Sequence, residues 1–320
     1  MKEKKDDYKK IDYRGKNVLI FGDLMLDYYI WGNVERISPE APVPIVEVVD
    51  KSYNLGGCGN VANNISSLGG NAFLCSIIGD DKSSRKILEI CERNNINTDG
   101  VLRTKERKTT TKVRIMSNRQ QLLRIDEEIK TIVSDSQIKN FKDIIEKINV
   151  EIHVILISDY LKGVVESSII NYLSNKFKDS YILVDPKGTD YKKYGKVYAI
   201  TPNLKEAKEF SKKEKLSEMG KYILNEADVQ NVIITRGKNG MSLYGKTYEK
   251  QFPAKRPRQV FDVCGAGDTV LATLGLEISK QSEIFQAIKI ANIAGGIVVG
   301  KIGTSFVTPL EIERVLNENK

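Results

Sequence analysis

The chain of 320 residues is 41% apolar and 29% charged, enough to bury one large α/β core or two smaller ones. No apolar run approaches the roughly 20 residues of a membrane span, and the mixed-charge start Met1-Lys2-Glu3-Lys4-Lys5-Asp6-Asp7 has no signal-peptide core, so the expectation is a cytoplasmic protein with no membrane partner. Four cysteines without a C-x-x-C pair and one histidine speak against a disulfide framework or a structural zinc site, and a net charge of +8 interleaved with acidic residues suits small anionic substrates better than nucleic acid.

Residues 1–16 read as an N-terminal tail and 17–315 as the organised domain. Val18-Leu19-Ile20-Phe21 is the first apolar strand and leaves into Gly22-Asp23, with Asp27 close behind. Residues 28–50 are β-rich with no helix between paired strands, and 109–125 repeat that pattern; together they predict a small β lid. Such a lid excludes water from a transfer reaction, and its edges and apolar surface offer a homodimer contact. Between them Gly57-Cys58-Gly59-Asn60-Val61-Ala62 fits the dinucleotide fingerprint G-x-G-x-x-A, but that fingerprint belongs directly after the first core strand. A polyol is the better ligand here, because Gly56 and Gly57 permit close backbone approach and Asn60 can donate to and accept from hydroxyls.

Four further apolar runs end in polar residues: 154–157 into Ser158-Asp159, 181–184 into Asp185-Pro186-Lys187-Gly188, 197–200 into Thr201-Pro202-Asn203, and 232–234 into Thr235-Arg236-Gly237. Helix-periodic stretches at 134–149, 164–178, 204–211 and 216–226 separate them. Apolar strands alternating with helices predict a mainly parallel sheet covered on both faces, with the polar exits meeting in one cleft. Asn203 and Glu206, three apart at a helix start, either order a hydrated Mg²⁺ or form a capping box. Gly240-Met241-Ser242-Leu243-Tyr244-Gly245-Lys246-Thr247 matches the P-loop pattern by letter, yet strand-like residues and Pro253 follow instead of a helix. A hairpin of 241–244 and 247–252 about Gly245-Lys246 is expected.

The most informative segment is Phe261-Asp262-Val263-Cys264-Gly265-Ala266-Gly267-Asp268 before an apolar helical run. Glycines and a helix N-terminus gather backbone N–H groups on an anion. A carboxylate beside a bound phosphate is either the helix N-cap or a base for an incoming hydroxyl.

In order along residues 17–310, Gly22-Asp23 with Asp27, Gly56-Gly57 with Asn60, Asn203-Leu204-Lys205-Glu206, Thr235-Arg236-Gly237 and Asp262–Asp268 resemble the ribokinase, or phosphofructokinase-B-type, sugar kinases. The resemblance implies a ribokinase-like three-layer α/β/α fold with a β lid, ATP and Mg²⁺, and a monovalent cation as a further candidate. Arg36-Ile37-Ser38-Pro39-Glu40-Ala41-Pro42-Val43-Pro44, the Lys112–Asp126 stretch, Ser158-Asp159-Tyr160-Leu161-Lys162-Gly163, Asp185-Pro186-Lys187-Gly188-Thr189-Asp190 and Val299–Ser305 look like the D-glycero-β-D-manno-heptose-7-phosphate kinase branch. That branch phosphorylates the anomeric hydroxyl, giving heptose 1,7-bisphosphate for ADP-heptose. It is often fused to a nucleotidyltransferase domain, which is expected here on a separate polypeptide.

By that resemblance Asp268 is the base, and the amides of Gly265, Ala266 and Gly267 hold the migrating phosphoryl group. Asn203, Leu204, Lys205, Glu206, Thr235, Gly237 and Asn292 border the nucleotide, with Asn203 and Glu206 ordering Mg²⁺ through water. Asp23, Asp27, Gly56, Gly57, Asn60 and Asp159 bind sugar, while Arg36, Arg114, Arg124, Lys162 and Lys187 are the cations available for the 7-phosphate. Cys264 replaces the usual Thr and reads as an inert small side chain, and Cys58-Gly59 replace the usual Ala-Ala. A kinase of ribose, fructose 1-phosphate or 2-keto-3-deoxygluconate, and a non-catalytic sugar-phosphate sensor, are the alternatives.

Overall fold

The computed structural model describes residues 10–118, 120–254, 265–301 and 306–318. Strand β1 (Asn17–Gly22) passes at Asp23 straight into β2 (Leu24–Ile37), and β3 (Pro44–Gly57) returns to α1 (Cys58–Ser67). Then come β4 (Asn71–Gly79), α2 (Lys82–Arg93), β5 (Asn97–Thr104), β6 (Thr110–Ser117) and β7 (Gln120–Glu127). The second half holds α3 (Asp135–Glu146), β8 (Val154–Ser158), α4 (Ser167–Lys176), β9 (Tyr181–Asp185), β10 (Ala199–Ile200), α5 (Leu204–Ser211), α6 (Leu216–Glu226) and β11 (Asn231–Thr235). A hairpin of β12 (Met241–Gly245) and β13 (Glu249–Phe252) precedes α7 (Ala266–Ser279), α8 (Ile284–Val298) and α9 (Pro309–Asn317).

The main sheet has the order β13-β12-β11-β10-β9-β8-β1-β4-β5, parallel from β11 to β5 and antiparallel in the terminal hairpin. Side chains alternate between two cores. Val18, Ile20, Val154 and Leu156 pack with α1, α7 and α8, whereas Leu19, Phe21, Ile155 and Ile157 pack with α3, α4 and α6. Helices therefore cover both faces, the three-layer α/β/α arrangement expected of such apolar strands. The chain winds from β1 out to β4 and β5, then returns to β8 on the other side of β1. That reversal opens a crevice beyond the carboxyl ends of β1 and β8.

The second sheet, β3-β2-β6-β7, is the lid, and it is longer than residues 28–50 and 109–125. Its base reaches down to Leu24 and Gly57 because Leu24, Met25 and Leu26 are buried at 4%, 2% and 2% exposure and continue the β pattern without a turn after Asp23. The expected tail is also shorter than 1–16. Ile11 and Tyr13 are buried, and the Tyr13 hydroxyl donates to Glu277 on α7 at 2.6 Å. The P-loop lookalike is the predicted hairpin, closed by Gly245 N–H donating to the Tyr248 carbonyl at 2.9 Å.

Candidate active site

Helix α7 starts where Gly265 adopts a left-handed conformation, φ 79°, which suits a residue without Cβ. A Cβ on Gly265 would also lie 2.7 Å from Asn60 Nδ2. From this turn the first-turn amides of Ala266 and Gly267 point out of the helix end, where intrahelical acceptors do not reach, and the helix dipole adds positive potential. Asp268 follows on the same turn, buried at 4% exposure. Its Oδ2 accepts from Asn60 Nδ2 at 2.7 Å and its Oδ1 from the Tyr160 hydroxyl at 3.1 Å. One turn along α1, Asn64 Oδ1 accepts from Oγ1 of Thr269, the residue after Asp268, at 3.0 Å, so α1 and α7 are fixed in register beside the base. Asn60 thus touches the carboxylate as well as lying on the expected sugar side.

Burial pushes Asp268 up to about 6, opposed by the two hydrogen bonds and reinforced by the charge of Asp27. A second carboxyl, Asp185 at the end of β9, has Oδ2 3.8 Å from where a Cβ on Gly267 would stand. Burial, then the charges of Asp268 and Glu206, push it well above the carboxylate range despite a hydrogen bond from Thr201 at 3.2 Å. Both carboxyls are therefore pushed up, and the charge of Asp268 is itself among the causes at Asp185.

The α5 N-terminus carries the expected capping box. Asn203 Oδ1 accepts from Glu206 N–H at 3.0 Å, and Glu206 Oε2 accepts from Asn203 N–H at 2.9 Å. Glu206 Oε1 holds the Lys187 ammonium at 2.5 Å. Burial works against that ammonium, but the Glu206 contact and the charge of Asp185 outweigh it and raise its pKa. This set fits a divalent cation. The charged form of Asp185 is disfavoured by burial and by the charges of Asp268 and Glu206, so positive charge is wanted there, and Glu206 already attracts a cation.

Other expected site residues fall in different places. Asp23, expected to bind sugar, is held by a loop: its Oδ2 accepts from Tyr160 N–H (2.7 Å) and Lys162 N–H (3.1 Å), and its Oδ1 from Val164 N–H (3.4 Å). Burial, then the charge of Asp159, lifts it to about 6 against those amides. Asp159 is likewise consumed by the Tyr194 hydroxyl at 2.8 Å, Leu161 N–H at 2.8 Å and Lys193. Lys162 pairs with Glu128, and Lys187 with Glu206 on α5. Arg124 is half exposed on lid strand β7 with Asp126, and Arg36 is exposed with Glu47. Arg114 is buried against Asp27, whose Oδ2 would be 2.9 Å from a Cβ on Gly56. Gly57, φ 58°, leaves no room for a Cβ against the Asp23 carbonyl.

Thr235 bridges to Asn203, and Gly237, φ 54°, faces open space, so these two with Leu204 and Lys205 form one rim. Asn292 on α8 instead donates to the Pro253 carbonyl at 2.8 Å. Asp262, Val263, Cys264 and residues 302–305 lie outside the described residues. Sequence reasoning assigned no role to Tyr160, Asp185, Asn64 or Arg107. Asp185 lay in a quoted strand exit and Tyr160 one residue past another, the signal that could have found them.

The sequence profile of pfkB family carbohydrate kinases matches residues 16–311. The chain belongs to the pfkB family. This pfkB kinase is 40% identical over 306 residues to the bifunctional protein HldE of Pelobacter propionicus and 39% identical over 311 residues to HldE of Helicobacter pylori. Those alignments cover 93% and 95% of this chain but 63% and 67% of the relatives, so the chain spans about two thirds of their length. In fold it is similar to phosphofructokinase-2 from Escherichia coli (TM-score 0.79, 16% identity, 95% and 98% of the two chains) and to Arabidopsis thaliana ribokinase (TM-score 0.72, 16% identity, 94% and 98%). It is a sugar kinase of ribokinase-like fold. Among the described residues no helix is long and apolar enough to cross a membrane.

Proposed function

We propose that this pfkB kinase transfers the γ-phosphate of ATP to the anomeric hydroxyl of D-glycero-β-D-manno-heptose 7-phosphate. The observation that carries the reading is an ionisable, buried Asp268 on the first turn of α7, beside amides free to hold an anion. The acceptor hydroxyl gives its proton to Asp268 as its oxygen bonds to the γ-phosphorus, and the amides of Gly265, Ala266 and Gly267 take the charge on the migrating group. Each such donor is worth roughly 3–4 kcal/mol. Mg²⁺, when bound on the nucleotide, supplies neutralising charge; Glu206, Asn203 and Asp185 are the groups on this chain that would order it. Arg114, joined to the Asp27 carboxylate that faces the base, is the favoured cation for the sugar phosphate. A monovalent cation is kept as a candidate, since one similar phosphofructokinase-2 was solved with potassium.

The choice of heptose rests on the residues quoted for that branch and on the HldE relatives. NMR of the product formed from ATP, Mg²⁺ and heptose 7-phosphate tests it. Turnover of ribose or another sugar phosphate with none of the heptose would overturn the substrate and keep the kinase. We also propose a homodimer through the lid. Leu122, Leu123 and Ile125 on β7 and Val48 and Val49 on β3 are 43–70% exposed on edge strands. Sedimentation showing a monomer at micromolar concentration removes that proposal.

A further inference from the structure

Both oxygens of the Asp268 carboxylate already carry a donor, Asn60 on one and the Tyr160 hydroxyl on the other. An acceptor hydroxyl must come within about 2.6–3.2 Å of one of these oxygens to hand over its proton. Asn60 sits on α1, buried at 1% exposure and pressed against Gly265. Tyr160 is different, because it is only half-buried and stands on a loop whose backbone is fastened independently of its ring. Asp23 receives the amides of Tyr160, Lys162 and Val164, and Asp159 receives that of Leu161. Arg107 donates to the Lys162 carbonyl at 2.7 Å. Gly163, φ 83°, presses on the Thr131 carbonyl so closely that a Cβ would collide with it.

We propose that the Tyr160 hydroxyl holds the acceptor's place on Asp268 Oδ1 until a sugar hydroxyl displaces it. The inference rests on Asp268 being the base. Its consequence is protection of ATP. A water molecule on Oδ1 would bond through its oxygen to the γ-phosphorus while the bond from that phosphorus to the bridging oxygen of ADP breaks. The proton would pass to Asp268, leaving ADP and phosphate. The phenol excludes that water and is itself a poor nucleophile. The charge of Asp268, then burial, then the charges of Asp185 and Asp27, hold its proton on, so it remains a donor. The charged and polar groups facing Asp268 are Asn60 from α1, Tyr160 from the β8 exit, Asp27 with its Arg114 from the lid, and Asp185 from β9.

Tyr160→Phe keeps the backbone bond to Asp23 and removes only the hydroxyl. In the sugar-free enzyme, ATP hydrolysis is expected to rise roughly tenfold or more, and the Asp268 carboxyl, followed by ¹³C NMR without nucleotide, is expected to titrate above its former midpoint of about 6. Hydrolysis at the wild-type level, or an unmoved titration, in a variant whose circular dichroism and melting match wild type overturns the proposal. Asp268→Asn separates the two readings. If it leaves sugar phosphorylation intact, the base assignment fails; if it abolishes phosphorylation while Tyr160→Phe changes nothing, the tyrosine alone is wrong. Asp268→Asn added to Tyr160→Phe is expected to remove the extra hydrolysis, and its persistence would also overturn the proposal.

Discussion

Asp23 and Asp268 are two buried aspartates near the same crevice, and burial lifts each to about 6, yet the donors around them differ. Asp23 is saturated by three backbone amides of one loop, whereas Asp268 is held by the side chains of Asn60 and Tyr160. Backbone donors cannot leave without unravelling the loop, so such a carboxylate is an anchor. Side-chain donors can swing away at the cost of a rotamer, so that carboxylate is available to a substrate. Composition and burial alone do not distinguish the two; the kind of donor does.

The sharpest way to break this distinction is kinetic. Asp268→Asn is expected to lower kcat by about 10²–10⁴ while ATP binding, followed by calorimetry, stays near wild type. Near-normal turnover would remove Asp268 from the reaction. Turnover of the unmodified enzyme is expected to rise with pH through about 6 as Asp268 ionises, which a pH–rate profile checks. Asp23→Asn acts through the loop instead. It places an amide group among backbone N–H donors, so its loss of activity is expected to come with a lower melting temperature near pH 4.

Stability against pH sharpens the same contrast. A carboxyl whose folded pKa lies above its unfolded value stabilises the fold at low pH, and that contribution is lost as pH rises through the folded value. For Asp268, between 3.8 and about 6, the loss is about 3 kcal/mol and is complete above about pH 7. Asp268→Asn does not titrate there, so it is expected to equal wild type near pH 4 and to exceed it by up to about 3 kcal/mol at pH 8 in urea unfolding. For Asp23→Asn the same gain is offset by about 1–3 kcal/mol for the mispaired amide, leaving little net change at pH 8 and a deficit at pH 4. Identical curves for the two variants would refute the anchor-versus-base distinction.

The sheet was legible because parallel strands buried on both faces are written as apolar runs, and their polar exits mark the crevice. Helices α5 and α6 match 204–211 and 216–226 because their periodicity is local, reinforced at α5 by the Asn203–Glu206 capping box. The base of the lid was not legible, since Leu24–Leu26 continue the β pattern directly from the first strand. Nor could the sequence rank the cations. Whether Lys162 meets Glu128 or Lys187 meets Glu206 depends on which loops the fold brings together, not on anything beside those lysines in the chain. The loop around Asp23 was illegible for a related reason. An aspartate after a strand reads as a ligand until the loop that consumes its oxygens is seen.

Asp185 gives the smallest expected effect and the finest test. It is less covered than Asp23 and resembles Asp268 in its place beside the α7 N-terminus, and burial, then the charges of Asp268 and Glu206, push its pKa up. Without metal, burial and neighbouring charge disfavour the charged form of Asp185, and Asp185→Asn keeps the side chain's shape, so folding and the titration of Asp268 are expected to change little. Once Mg²⁺-nucleotide arrives, the native side chain can release its proton and add a negative charge toward the metal, which the amide cannot. The apparent affinity for Mg²⁺ is therefore expected to fall roughly tenfold, read from the Mg²⁺ dependence of nucleotide binding as well as of turnover. Unchanged Mg²⁺ dependence would mean that Asp185 merely fills space beneath Gly267. A large shift of the Asp268 midpoint would mean instead that the two carboxyls share one proton, and the base would have to be assigned to the pair.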